Sequence, residues 1–140
     1  MAYKLTRSTR IIETLELTDE NDNVVDTIDI DLDADAICTA FRKKHLAIID
    51  AERRLKEVQK KGVQENIETA FSVYGTALLD VFELVFGTSG TKKILEFYEN
   101  KYVEMSVQIV PFIYSVIVPK INETLNNQKT KLKNMYRHHK

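Results

Sequence analysis

The sequence predicts a mainly α fold with a small N-terminal β-hairpin (α+β): about four helices packed as an irregular bundle, the last one long and proline-curved. Three observations predict it. Residues 10–32 are rich in β-branched side chains, and their second half alternates apolar and polar residues with period two. From Asp33 onward the apolar positions recur every three or four residues instead. A chain of 140 residues, 44% hydrophobic and 29% charged, suits one domain with a modest core.

The hairpin comes first. "RIIETLEL" at 10–17 and "VVDTIDIDL" at 24–32 read as strands, the second placing Ile28, Ile30 and Leu32 opposite Thr27, Asp29 and Asp31. The short link "TDENDN" is rich in turn formers, so the strands fold back antiparallel with one apolar and one acidic face. A lone hairpin is marginal, so it must lean on helices or on another copy of the chain.

Helices follow. Asp33 or Asp35 caps a helix whose apolar residues Ala36, Ile37, Ala40, Phe41, Ile48, Leu55 and Val58 share a side, and Gly62 is the expected stop. Ile67, Phe71, Tyr74, Leu78, Val81 and Val85 mark a second helix ending at Gly87, with Gly75 and Ala77 allowing close approach of a neighbour. "TSG" reads as a connection. Ser89 or Thr91 then caps a shorter helix with Ile94, Leu95, Phe97 and Tyr98 on its apolar side.

From about Lys101 the residues are β-branched enough for a strand, but their period is helical. Val103, Val107, Val110, Tyr114, Ile117 and Ile121 form one apolar stripe; Met105, Ile109, Phe112 and Val116 form a second. Glu104, Gln108, Pro111, Ser115, Pro119 and Asn122 are left as the wet stripe. Each proline removes one backbone bond and displaces a carbonyl, which water can hydrate on that side, so the helix curves without breaking. The organisation is one domain over 1–140, with the hairpin at 10–32, a helical body at 33–122 and a basic, partly mobile C-terminal helix or tail at 123–140.

A net charge of −1 conceals segregation. Ten of the 21 acidic groups lie between Glu13 and Asp35 with no Lys or Arg among them, whereas Lys120, Lys129, Lys131, Lys133, Arg137 and Lys140 oppose only Glu123 near the C-terminus. These are solvated faces, or else opposite ends by which neighbouring copies attract and orient one another. The lone Cys38 cannot form an intramolecular disulfide, and no charged-then-apolar leader opens the chain, so a cytoplasmic location is expected. The apolar run from Val107 to Val118, about twelve positions, is short of the roughly 20 that span a bilayer.

No motif for catalysis, cofactor or metal emerges. "FGTSGTKK" at 86–93 has two residues between its glycines where a phosphate-binding loop needs four, and it follows a helix. "DIDLDADAICTA" at 29–40 puts Ala34 where a calcium loop needs Gly and Ala40 where it needs Glu. Cys38 and His45 lie about 10 Å apart along their helix, too far to act as nucleophile and base. His138 and His139 lack partner ligands, and the chain lacks the broad basic surface of a specific nucleic-acid binder.

The succession of an acidic hairpin, a long charged helix, "ALLDVFELVFG", "ILEFYEN" and "IVPFIYSVIVPKI" resembles the tail assembly chaperones of long-tailed, siphovirus-type bacteriophages and prophages of Gram-positive bacteria, over roughly residues 10 to 122. The resemblance implies a non-enzymatic protein that coats and solubilises the tape measure protein and gives way to tail-tube subunits. It also implies the infected host's cytoplasm as location, absence from the mature virion, and a longer frameshifted form that recruits the tail-tube protein. Ile109, Phe112, Ile113 and Val116 are the expected partner contact; Ile28, Ile30 and Leu32 are the expected self-association face of a homo-oligomer. The rival readings are another small phage morphogenesis protein, such as a head-tail connector or tail-completion component, and a cytoplasmic helical regulator that binds an acidic partner.

Overall fold

The computed structural model describes residues 2–7, 9–61 and 64–137, excepting the side chains of residues 61, 64–66, 136 and 137. Strands β1 (Ile11–Thr18) and β2 (Val24–Leu32) form an antiparallel two-stranded sheet, followed by α1 (Ala34–Lys61), α2 (Gln64–Phe97) and α3 (Tyr102–Phe112). A π-helical turn (Ile113–Ile117) joins α3 to α4 (Val118–Arg137). The architecture is therefore mostly helical with an N-terminal hairpin.

The hairpin turn is held by Asp19, whose carboxylate accepts the backbone N–H groups of Asn21 and Asn23 at 2.8 and 3.0 Å. Those two bonds favour the ionised form and hold its carboxyl below the usual range. Asp22, at φ 64°, completes the turn. Pairing sets Ile11 opposite Leu32, Glu13 opposite Ile30 and Leu15 opposite Ile28 on the inner face. The outer face pairs Thr14 with Asp29 and Glu16 with Thr27, all exposed.

At the next junction Asp33, rather than Asp35, caps α1: its Oδ1 accepts the N–H of Asp35 at 3.0 Å and of Ala36 at 3.4 Å. The expected stop at Gly62 lies outside the described residues. α1 packs along α2, α2 also carries β2, and the last helical run crosses both, with α3 against α2 and α4 against α1. Phe82, Leu78, Ile94, Met105, Ile113, Ile117 and Ile30 are fully buried where these elements meet. Each such side chain stabilises the fold by about 1.5–3 kcal/mol relative to leaving it in water.

Among the described residues three helical runs are present where about four helices are expected. The difference lies at Gly87, whose φ of 75° and ψ of 172° break the helical path within a single residue. Thr88, Ser89 and Gly90 are already helical again, so "TSG" is no loop, and Ser89 and Thr91 lie within the helix. Thr91 is buried instead, and its hydroxyl has no hydrogen-bond partner among the described residues. The redirected end of α2 seats the hairpin: a Cβ on Gly90 would stand 2.9 Å from both Ile28 Cγ2 and Phe86 Cβ. Gly75 plays a similar part for α3, lying under the Tyr102 ring.

Two lysines clamp the hairpin from different helices. Lys93 on α2 donates to the Thr27 carbonyl at 2.9 Å and stands 3.4 Å from Asp26, while Lys120 on α4 pairs with Glu13.

Candidate partner-binding surface

The last helical run has two apolar stripes, and its inner face is built in an unusual way. Met105, Ile109, Ile113, Ile117 and Ile121 are all buried and step by four without exception. In a helix of 3.6 residues per turn each step of four overshoots by roughly 40°, so four steps would carry the stripe about 160° around the axis and out of the core. The π turn widens one winding to accept an extra residue, with Val118 N–H bonded to the Ile113 carbonyl five residues back. That returns roughly 100° and keeps the stripe facing inward.

Both prolines flank this turn on the wet side. Glu104, Gln108, Pro111, Ser115, Pro119 and Asn122 are all exposed, and Ser115 Oγ donates to the Pro111 carbonyl. The displaced carbonyls can therefore be hydrated.

The expected contact residues divide. Ile109 and Ile113 are core, 2% and 1% exposed, and cannot meet a partner while the domain is folded. Phe112 and Val116 are half-buried, with the Phe112 ring stacked on Phe86 of α2 at 6.3 Å. Ile28, Ile30 and Leu32 are likewise buried, because the apolar face of the hairpin closes over α2. A second copy cannot use that face in this structure.

What remains open is the beginning of the other stripe. Val103 and Val107 are 58% and 63% exposed, Val110 and Tyr114 are half-buried, and only Ile117 and Ile121 reach the core. The stripe thus spirals from solvent into the domain. Beside it lies a trough of about 400 Å³ where α1, α2 and α3 meet, lined by Ile48, Ile49, Tyr74, Val110, Pro111 and Tyr114 among others.

The trough is braced by two polar contacts. Tyr114 Oη sits 2.5 Å from His45 Nδ1, and Tyr74 hydrogen-bonds Ser106. Burial, then the negative charge of Glu52 and the neighbouring Tyr74, push the Tyr114 hydroxyl above the ordinary tyrosine range. Leu46 and Ile49 are exposed on α1, off the stripe of Phe41, Ile48 and Leu55. That departure was the available sequence signal for a second apolar face on this helix.

A larger cleft, about 700 Å³, opens on another side between the hairpin turn, the end of α2 and the start of α3. Leu15, Leu17, Phe97, Tyr98 and Ile109 supply apolar lining; Glu16, Asp19, Glu20 and Glu104 supply charge, and no basic residue lines it. Burial and Glu104 raise the Tyr98 hydroxyl above its ordinary range.

Among the described residues, no three His, Cys, Asp or Glu side chains stand together as metal ligands. Two helical stretches, Ile67–Phe97 and Tyr102–Met135, have the length and composition of a membrane-crossing helix, each with a mean hydropathy of 1.4 in its most apolar 18-residue window. The first has half of that window buried, as a core helix does; the second has only 22% buried. No protein-family model, curated protein or solved structure matches the chain.

Proposed function

We propose that the chain is a non-enzymatic tail assembly chaperone of a long-tailed bacteriophage, which binds the tape measure protein and keeps that long apolar helical protein soluble. The supporting observation is the last helical run: its most apolar window is only 22% buried, and its open stripe borders the trough at Val110 and Tyr114. A surface of this kind suits the apolar face of a partner helix laid into a groove.

In this reading the tape measure helix contacts the Val103–Val107–Val110 side together with Ile49, and tail-tube subunits displace the chaperone as the tube grows. A longer form would recruit the tube protein. The chaperone acts in the cytoplasm of the infected host and is left out of the virion.

Co-expression with the tape measure protein of the same genome tests the reading. Wild type is expected to keep the tape measure protein soluble and to co-purify with it. Val107→Asp and Ile49→Asp, both at exposed positions, are expected to stay folded and lose both properties. A tape measure protein that stays insoluble beside the wild type would end this assignment.

A further inference from the structure

We propose that the basic C-terminal half of α4 docks into the acidic cleft of a second copy of the chain, giving a head-to-tail assembly. This goes beyond the chaperone reading and stands without it.

The cleft offers two things at once. Its rim carries Glu16, Asp19, Glu20 and Glu104, and its floor includes Leu17 and Phe97. No salt bridge among the described residues occupies Glu16, Glu20 or Glu104, and Lys101, the basic residue nearest Glu104 in sequence, is 3.7 Å from Glu99 instead. The cleft therefore fits a helix that is basic and apolar together.

The chain carries such a helix. Toward the end of α4, Leu132 and Met135 are 51% and 49% exposed, three residues apart on one side, and Lys129, Lys131 and Lys133 are exposed around them. None of these lysines is salt-bridged among the described residues. Apolar floor meets Leu132 and Met135; acidic rim meets the lysines.

The match must be made in trans. Gln108, which lines the cleft, and Leu132 belong to one continuous helical run, so they stand roughly 35 Å apart along it at 1.5 Å per residue. No loop lets the end fold back. Because the two surfaces differ, the contact is heterologous: each bound copy leaves a cleft at one end and a helix at the other, and the assembly grows as a chain or closes as a ring.

Charge exchange tests this, with sedimentation velocity on the full chain at low salt and at about 0.5 M salt, where exposed charges are screened. The wild type is expected to form concentration-dependent oligomers that dissociate in high salt. The rim variant Glu20→Lys/Glu104→Lys and the helix variant Lys129→Glu/Lys133→Glu are each expected to lose them. Mixing the two variants is expected to restore them, since each then meets its opposite charge in the other. Restoration also shows that both variants are folded. A wild type that stays monomeric at every concentration overturns the proposal and leaves the cleft to a basic helix of another protein. So does a mixture that stays dissociated, or single variants that assemble as the wild type does.

Discussion

Tyr114 Oη lies 2.5 Å from Nδ1 of His45, which ties the π turn of the last helical run to the middle of α1. The His45 ring is also stacked on Phe41 and meets the Tyr114 ring edge-on at 5.1 Å. This contact fixes the wall of the trough. Tyr114→Phe keeps the ring and deletes the hydroxyl, so stability is expected to fall by about 1 kcal/mol, the usual net worth of one such bond. The urea midpoint should drop with an unchanged slope.

The two faces of the helix should respond oppositely to substitution. Ile113→Ala empties a site that is 1% exposed and is expected to cost about 2–5 kcal/mol. Val107→Asp, at 63% exposure, should change the folding free energy by no more than about 0.5 kcal/mol. Equal losses in chemical denaturation would contradict the assignment of inner and outer stripes.

Gly87 and Gly90 are expected to resist alanine for different reasons. At Gly87 the φ of 75° with ψ of 172° lies in a region essentially reserved for glycine, so Gly87→Ala should cost about 1–3 kcal/mol. At Gly90 the new methyl would press on Ile28 and Phe86, an overpacking penalty also of about 1–3 kcal/mol. Thermal unfolding checks both. A stability gain in either variant, as expected of an ordinary helical glycine, would deny the break or the close approach.

Thr91 presents the reverse case. Its buried hydroxyl lacks a partner, so Thr91→Val exchanges an unsatisfied polar atom for a methyl of similar size and should leave stability unchanged or raise it by about 1 kcal/mol. A clear loss in calorimetry would mean that the hydroxyl is bonded.

Alkaline pH should weaken the fold through Tyr98 and Tyr114, whose hydroxyls are held above the ordinary value of 10.0 chiefly by burial. The folded state keeps these protons when the unfolded chain has begun to lose them. Their contribution is therefore full below pH 10 and is lost as pH rises through the elevated folded values. Denaturant midpoints taken from pH 8 upward should fall less steeply for the Tyr98→Phe/Tyr114→Phe variant than for the wild type.

The hairpin, its acidic outer face, a carboxylate cap at Asp33 or Asp35 and the exposed stripe of Pro111 and Pro119 were determined by the sequence alone. Each rests on local physics: a period of two or 3.6, a turn former between strands, a carboxylate before a helix, a ring that cannot donate a hydrogen bond. Tertiary structure alone decided which neighbour covers each apolar face. Periodicity states that Ile28, Ile30 and Leu32 share a side, and only packing against α2 shows that this side is filled from within the chain. Likewise the two stripes on the last helical run are both apolar in sequence, yet the core takes neither whole: Met105 and Ile109 from one, Ile117 and Ile121 from the other, and Ile113 from neither step by four into it through the π turn, while Val103 and Val107 remain in solvent. The physical reason is the same in both cases. Local periodicity aligns residues on a face, whereas burial depends on contacts between segments far apart in the chain and on small helical irregularities that rotate one face toward them.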